Sequence, residues 1–205
     1  MADPRVLVTG VLLAGGRAER MDGRDKGLLP LAGEPLIVHG VRRLKPQVAE
    51  LLISANRHGE IYQRFGCRVV GDSVNERFRG PLAGMLAALR AATTPWVLTA
   101  PCDSPLLPPD YAARMLAALA EGQSAAGVMD DAGRWQPVFV LLSVDLRVDL
   151  TAWLAAGEGG AERWLRRHRP VPVKFPDWPG LWRNVNTPEE LARLEAEWPG
   201  LDSAT

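Results

Sequence analysis

Two kinds of apolar run alternate through the first 120 residues of the chain. Short continuous runs, rich in Val and Leu and closed by Gly, Asn or Asp, predict buried strands. These predicted strands cover 6–14, 50–54, 67–71 and 96–100. Segments with apolar residues three and four positions apart predict helices at 35–45, 80–92 and 108–122. The alternation favours an α/β fold with a mainly parallel sheet and helices on both of its faces.

The second part of the chain continues with both kinds of element. We predict strands at 125–129 and 136–143, a mostly helical stretch at 145–168, and a last helix at 187–198. Thr187 followed by Glu190 is a capping box, which marks the start of that last helix. A length of 205 residues fits one large domain or two small ones. Because no internal repeat or long linker interrupts the pattern, we predict a single domain over 1–205.

Composition narrows the classes of protein. The 24 basic and 24 acidic residues cancel, so no global field favours nucleic acid or a membrane surface as a partner. No apolar run reaches the roughly 18 residues of a spanning helix, and the first residues lack the apolar core of a signal peptide. The two cysteines, Cys67 and Cys102, argue against a disulfide framework or a zinc site built mainly of thiolates. We therefore expect a cytoplasmic protein in a reducing environment.

Polar residues and glycines follow each of the first four predicted strands. The strands end at Gly15-Gly16, Ser54-Ala55-Asn56, Gly71-Asp72 and Pro101-Cys102-Asp103. The carboxyl ends of parallel strands lie along one edge of a sheet, and ligands of such sheets bind outside that edge. The alternative is that Asp and Asn are there only because they favour turns. Four such ends beside a glycine-rich loop favour a binding site.

The stretch "LLAGGRAERMDGRDKG", residues 12–27, follows the first strand and suits phosphate binding. Gly15 and Gly16 let backbone N–H groups approach an anion closely. The basic side chains of the loop can neutralise a polyphosphate; they are Arg17, Arg20, Arg24 and Lys26. The loop is not a Walker A motif, since no Gly-Lys-Ser/Thr follows, and it lacks the Gly-x-Gly-x-x-Gly of dinucleotide-binding folds. A solvated surface loop is the alternative.

Asp103, in "PCDSP", is the candidate metal ligand. A carboxylate would repel a triphosphate unless a cation lay between them, and Mg²⁺ prefers one or two carboxylates together with phosphate oxygens. Asp72 fits a second ligand, a partner reached through water, or a contact to ribose or base. The alternative for Asp103 is a turn cap between two prolines. The neighbouring Cys102 fits a small buried apolar residue better than a nucleophile.

These residues together resemble the MobA family, the molybdenum cofactor guanylyltransferases. "LAGGRAERMDGRDKG" is similar to the signature of that family. Further motifs recur in the same order over nearly the whole chain: "SANRH" (54–58), "DS" (72–73), "GPLAGM" (80–85), "PCDSP" (101–105) and "NVNTPEEL" (184–191). The loop alone would identify only the broad superfamily. The resemblance implies a three-layer, Rossmann-like nucleotidyltransferase fold.

The resemblance also implies a role for individual residues. Arg20, Lys26 and Asp103 would be the catalytic residues, with Asp103 binding both the nucleotide and Mg²⁺. The nucleotide site would comprise Leu13, Ala14, Gly15, Gly16, Gly23, Lys26, Ser54, Asp72, Gly80, Gly84 and Asp103. Asn184 and Asn186 would face the molybdopterin substrate, although Asn186 also fits a residue that only precedes a helix cap. The nucleotide would lie in about 1–105 and the acceptor in about 106–198.

Two positions depart from the family pattern. Asp22 stands where the family usually has the first Gly of a Met-Gly-Gly, which adds a negative charge near the phosphates and removes a permissive backbone position. Ser54 stands where some members have Asn, and its hydroxyl reaches less far than an amide.

The implied reaction transfers GMP from GTP to molybdopterin carrying molybdenum, with Mg²⁺ as cofactor and pyrophosphate as the second product. Proteins that assemble or receive the molybdenum cofactor are the implied protein partners. Two alternatives stay open: a cytidylyl- or sugar-1-phosphate nucleotidyltransferase of the same fold, and a non-catalytic nucleotide-binding protein. The basic segment 163–174 fits either a site for the pterin phosphate or a solvated helix face followed by an edge strand.

Overall fold

The computed structural model describes residues 3–15, 25–73, 80–178, 181 and 183–202. Nine strands lie in this part of the chain: β1 (Val8–Leu13), β2 (Pro30–Leu31), β3 (Glu34–Pro35), β4 (Glu50–Ser54), β5 (Arg68–Val70), β6 (Trp96–Pro101), β7 (Ala125–Met129), β8 (Trp135–Ser143) and β9 (Val171–Val173). The same part contains eight α-helices: α1 (Pro4–Leu7), α2 (Leu36–Leu44), α3 (Gly59–Gln63), α4 (Pro81–Ala91), α5 (Tyr111–Ala117), α6 (Leu146–Ala155), α7 (Ala161–Arg167) and α8 (Pro188–Asp202). Short 3-10 helices cover Lys26–Leu28 and Lys45–Gln47.

Seven strands form one sheet in the order β5-β4-β1-β6-β8-β7-β9. β5, β4, β1 and β6 pair in parallel, β8 is antiparallel to both of its neighbours, and β7 and β9 pair in parallel. Six strands therefore run in one direction and their carboxyl ends share one edge. The predicted mainly parallel sheet is confirmed, and the one reversal arises because β7 and β8 are joined by a tight hairpin at 130–134.

Apolar side chains cover both faces of this sheet. On one face, Ile37 of α2, Tyr62 of α3 and Met115 of α5 belong to the same buried cluster as Leu12 of β1. On the other face, Val11 of β1 lies in a second cluster with residues of α4, α6 and α7. Adjacent residues of a strand point to opposite faces, so β1 contributes to both clusters and has helices above and below it. This is the expected three-layer arrangement.

A third buried cluster attaches the C-terminal helix to the β2–β3 hairpin. Leu31, Leu194 and Trp198 are among its members. The Trp198 ring also contacts the ring of His39, with centroids 4.6 Å apart, and His39 Nε2 lies 3.0 Å from the Leu31 carbonyl oxygen. This packing brings the segment before α8 towards the carboxyl edge of the sheet.

Several predicted boundaries are wrong for local reasons. The strand predicted over 6–14 begins at Val8, because Asp3 accepts the Arg5 N–H and caps a helical turn that starts at Pro4. The helix predicted over 108–122 covers only Tyr111–Ala117; the Gln47 side chain accepts the Ala112 N–H at its start.

The stretch predicted as mostly helical over 145–168 is two helices. Gly157 and Gly160, with φ of +80° and +82°, separate α6 from α7, since L residues avoid that conformation. The edge strand offered as one alternative for 163–174 is present as β9. α3 and the β2–β3 hairpin were not predicted, because both are too short to show a period. Among the described residues, no helix has the length and apolar character needed to cross a membrane.

Candidate active site

The ends of the parallel strands meet through backbone hydrogen bonds that continue beyond the sheet. Ala14 N–H donates to the Ser54 carbonyl at 2.8 Å, and Cys102 N–H donates to the Leu13 carbonyl at 3.0 Å. Ala55 N–H donates to the Val70 carbonyl at 2.9 Å. The segments predicted to converge therefore lie side by side at one edge.

Lys26 joins two other predicted site residues at this edge. Its Nζ lies 3.1 Å from Asp103 Oδ2 and donates to Asn186 Oδ1 at 2.8 Å. The Lys26 and Asp103 side chains are 23% and 13% exposed. The contact unites the glycine-rich segment, the end of β6 and the residue two before α8, which are far apart in the sequence. Partial burial strengthens such a pair relative to one in bulk water.

The described residues satisfy the Asp103 carboxylate only in part. Burial raises its pKa above the ordinary value for Asp, and the neighbouring Lys26 ammonium opposes that shift. Within the described residues, Asp103 Oδ1 is buried and has no hydrogen-bond partner. An unpartnered buried oxygen is costly, so this atom is suited to a ligand from outside the chain.

The donor set at this edge fits Mg²⁺ held jointly with a nucleotide. No group of three or more His, Cys, Asp or Glu side chains placed to hold a metal occurs in the described ranges. A single carboxylate with one free oxygen suits an ion whose remaining ligands are phosphate oxygens and water. Asp103 Oδ1 is the atom that meets this description.

Asp72 and Asn56 form a second polar pair next to Gly15. Asn56 Nδ2 donates to Asp72 Oδ2 at 2.6 Å, and Asp72 N–H donates to Asn56 Oδ1 at 2.8 Å. A Cβ added to Gly15 would lie 3.5 Å from Asn56 Nδ2, so the start of the loop passes directly over this pair. Asn56 was not among the predicted site residues, although its place just after a strand was a usable signal.

Leu13, Ser54 and Gly84 are in close contact. A Cβ at Gly84 would lie 2.7 Å from Ser54 Oγ and 3.2 Å from Leu13 Cδ2, so helix α4 can approach the strand ends only with glycine here. Gly80 is the residue before α4 and has φ of +71° and ψ of −160°, a conformation that favours glycine. Both predicted pocket glycines thus have a structural requirement, one steric and one conformational.

Asn184 and Asn186 flank a backbone contact to Asp103. Val185 N–H donates to the Asp103 carbonyl at 3.0 Å, and Ser104 Oγ donates to Asn184 Oδ1 at 2.5 Å. The predicted capping box is confirmed: Glu190 N–H donates to Thr187 Oγ1, and Glu190 Oε2 accepts the Thr187 N–H. Glu190 Oε2 also accepts the Asn186 N–H at 2.6 Å. Asn186 therefore precedes a helix cap and also contacts Lys26.

The sequence did not single out Asp25, which adjoins Lys26. Asp25 begins the Lys26–Leu28 turn, and its carboxylate accepts from the Tyr62 hydroxyl at 2.5 Å. Tyr62 carried no sequence signal, because it lies in a helix of five residues. The Cys102 thiol fits the expected small buried residue, since burial raises its pKa well above the ordinary value.

The basic segment 163–174 is largely paired with acids. Arg163 contacts Glu158, Arg166 contacts Glu162, and Arg167 and His168 both contact Asp149. This pattern matches the solvated-helix alternative. Three of the predicted site residues, Gly16, Arg20 and Gly23, lie outside the described residues, as does the unusual Asp22.

Comparison with known proteins gives one consistent family. A model of the MobA-like NTP transferase domain matches residues 10–171. The molybdenum cofactor guanylyltransferase of Burkholderia ambifaria is 50% identical over 202 residues, which cover 94% of this chain and 98% of that protein. The enzyme of the same name from Shewanella sp. (strain MR-4) is 46% identical over 190 residues, which cover 93% of this chain and 96% of that protein.

A solved structure shares the fold. The crystal structure of molybdopterin-guanine dinucleotide biosynthesis protein A from Archaeoglobus fulgidus superposes with a TM-score of 0.78, covering 95% of this chain and 100% of that chain. Sequence identity in that comparison is 21%, so the likeness concerns the fold alone.

Proposed function

The chain belongs to the MobA-like NTP transferase family, as a nucleotidyltransferase of the molybdenum cofactor guanylyltransferase group, and from this premise we propose that it transfers GMP from GTP to molybdopterin carrying molybdenum. The products are the guanine dinucleotide cofactor and pyrophosphate. The observation that carries the proposal is the contact of Lys26 with both Asp103 and Asn186. The contact supports the proposal because it joins a cation and a carboxylate that the described residues satisfy only in part, between the segments that we assign to the nucleotide and to the acceptor.

GTP lies along the carboxyl edge of the sheet in this proposal. The residues assigned to it are Leu13, Ala14, Gly15, Ser54, Asp72, Gly80, Gly84, Lys26 and Asp103. Gly16, Gly23 and Arg20 stay predictions from the sequence, as parts of the same phosphate-binding loop. The close approach of α4 at Gly84 supports the assignment, because it brings Leu13 and Ser54 together on one wall of the site.

The chemistry requires alignment and charge neutralisation rather than a protein base. A phosphate monoester has a second pKa of about 6, so the terminal phosphate of the pterin is mostly a dianion at neutral pH. One of its oxygens attacks the α-phosphorus of GTP, a new P–O bond forms, and the bond to the β-phosphate oxygen breaks to release pyrophosphate. Lys26 neutralises the negative charge of the reacting phosphates and holds them in position.

We assign Mg²⁺ to Asp103 Oδ1, the buried oxygen that lacks a partner among the described residues. Bound there with phosphate oxygens, the ion would act as a Lewis acid that lowers the charge at the α-phosphate. Asp103 itself orients Lys26 through its other oxygen, at 3.1 Å.

The acceptor is assigned to the side of Asn184 and Asn186. A cavity of about 290 Å³ adjoins Asn184, and the Arg193 side chain also lines it. In this arrangement about 1–105 bind the nucleotide and about 106–198 bind the acceptor. The halves share one sheet, in which β8 pairs with β6, so we propose a single domain. We also propose a cytoplasmic location and contact with proteins that assemble or receive the cofactor.

A pyrophosphate-release assay with molybdopterin and Mg²⁺ tests the proposal, with GTP and CTP compared as donors. We expect turnover with GTP and little with CTP, and we expect Lys26→Ala and Asp103→Ala to remove most of it while the fold persists. Glu162→Ala, in an exposed pair, is the control. Preference for CTP would overturn the base assignment. Full turnover in either site variant, or GTP binding without any product, would overturn the proposed mechanism.

A further inference from the structure

A buried anchor holds the turn that carries Lys26. The Asp25 carboxylate accepts the Tyr62 hydroxyl at 2.5 Å and the Gly27 N–H at 3.3 Å through Oδ1. Its Oδ2 lies 3.0 Å from His58 Nδ1. The Asp25 side chain is 7% exposed and Tyr62 is fully buried. Both oxygens of Asp25 are therefore engaged, by the turn itself and by groups at or just before α3.

The Tyr62 hydroxyl keeps its proton and donates it in the hydrogen bond to Asp25. Burial raises the pKa of the Tyr62 phenol above its ordinary value, so the phenol keeps its proton. The hydrogen bond to a carboxylate is charge-assisted, which makes it stronger than a bond between neutral groups. His58, the residue before α3, has φ of +53°, a conformation that persists only where the surroundings enforce it. The contact with Asp25 is one such constraint.

Gly27 lies so close to Tyr62 that an added Cβ would force the phenol or the turn to shift. A Cβ at Gly27 would lie 2.6 Å from the Tyr62 hydroxyl oxygen and 3.3 Å from Tyr62 Cε1. Gly27 does not have a positive φ, so the requirement is proximity rather than backbone conformation. The turn and the phenol are therefore in direct contact just beside Lys26.

We propose that Asp25 and Tyr62 are positioning residues, which hold the Lys26 turn so that the ammonium group lies between Asp103 and Asn186. A lysine side chain carries its charge at the end of a flexible four-carbon stem, so it needs a fixed backbone to keep the ammonium group in one place. Loss of the Tyr62 hydroxyl leaves Asp25 with its contacts to His58 and Gly27 alone, so the turn is held less firmly. The Lys26 ammonium then occupies its site for a smaller fraction of the time. The consequence for catalysis rests on the proposed function, whereas the effect on Lys26 itself does not.

Lysine acylation of the substrate-free chain tests the anchor directly. The chain has three lysines, Lys26, Lys45 and Lys174, whose rates can be followed by peptide mass spectrometry in one sample. Tyr62→Phe keeps the ring and removes only the hydroxyl. We expect N-hydroxysuccinimidyl acetate to modify Lys26 several times faster in this variant, with Lys174 unchanged. Lys45, which donates to the Gly66 carbonyl just after α3, reports any displacement of α3. An unchanged Lys26 rate, or equal acceleration of Lys45, would overturn the proposal.

A pair of substitutions tests the same contact through stability. Gly27→Ala should lower the melting temperature, because its Cβ meets the Tyr62 hydroxyl. Adding Tyr62→Phe should restore part of the loss, since the closest clash is removed. Gly59→Ala is the control, because a Cβ at Gly59 meets nothing within 4 Å. Losses that simply add in the double variant would contradict the close contact.

A kinetic cycle separates positioning from a general structural role. Tyr62→Phe should lower kcat for GMP transfer in the otherwise unchanged enzyme, and should have no further effect in a Lys26→Ala background. Equal fractional losses in both backgrounds would overturn action through Lys26. If the chain proves inactive with GTP, the proposed function fails, while the acylation and melting experiments still decide whether the anchor exists.

Discussion

Asp103 and Asp149 both lie beside basic side chains, yet their surroundings shift the pKa of the two carboxyl groups in opposite directions. Asp103 is buried, contacts one ammonium group, and has an oxygen without a partner among the described residues; burial raises its pKa. Asp149 accepts from Trp164 Nε1 at 2.8 Å and lies 3.0 Å from His168 Nε2. Burial alone would raise the pKa of Asp149. Its hydrogen bonds, of which the one from Trp164 has the largest effect, bring the pKa below the ordinary value.

The contrast separates a candidate binding site from a structural cluster. The segment around α7 is rich in charge, and its charges are satisfied by one another. Among the described residues at the strand edge, the central carboxylate keeps an oxygen without a partner, at a cost in stability. Buried groups in that condition are where ligand binding and catalysis are expected.

Asp103→Asn should show the largest difference in turnover between the strand edge and the cluster around Asp149. The variant keeps the shape of the side chain but loses the charge that orients Lys26 and the anionic oxygen assigned to Mg²⁺. We expect kcat to fall by about 10²–10³-fold, as for other preorganised electrostatic groups. The melting temperature should be retained, because a costly buried charge is removed. Asp149→Asn, assayed in parallel, should keep its turnover; equal losses in the two variants would erase the distinction.

Asp149→Ala should show the reverse behaviour, a loss of stability with kcat preserved. Trp164 is 1% exposed, so its indole N–H would lose its acceptor in a buried place. A buried donor without a partner costs about 1–3 kcal/mol, which denaturant unfolding can measure. An unfolding free energy equal to that of the wild type would show that the cluster contributes no stability.

The free energy of unfolding should decrease at acid pH as Asp149 becomes protonated. A carboxyl whose pKa is lowered in the folded state contributes stability above its ordinary pKa and loses it as the pH falls through the folded pKa. The free energy difference between wild type and Asp149→Ala should therefore shrink as the pH falls below about 4, the ordinary pKa of an Asp carboxyl. Unfolding curves at several pH values measure it. A difference that grows towards acid pH would reverse the assigned sign.

The exposed pair of Glu162 and Arg166 should have the smallest effect. The two side chains are 46% and 59% exposed and lie one helical turn apart. Such pairs contribute about 0.3–0.5 kcal/mol, and salt weakens them. We expect Glu162→Ala to change the unfolding free energy by no more than this and to leave turnover intact. A larger loss would mean that the charges of α7 act as a connected network.

Local patterning explains which predictions were confirmed. Apolar periodicity and turn residues decide where strands and helices form, so β4, β6, α4 and the capping box at Thr187 were predicted closely. Elements that are too short for a period, such as α3, gave no signal, and boundaries moved where a distant side chain, such as Gln47 at α5, satisfied a helix end. The convergence of strand ends was predictable because parallel strands share an edge.

Sequence alone thus established an α/β chain with a mainly parallel sheet, a glycine-rich loop after the first strand, and a candidate metal ligand at Asp103. It could not establish that Lys26 contacts Asn186, because 160 residues separate them and their meeting depends on how α8 packs on the β2–β3 hairpin. Nor could it show that Tyr62 donates to Asp25, or that an acidic residue of α6 pairs with a basic residue of α7. Those contacts depend on the order of elements in space, which only long-range packing of the buried clusters decides.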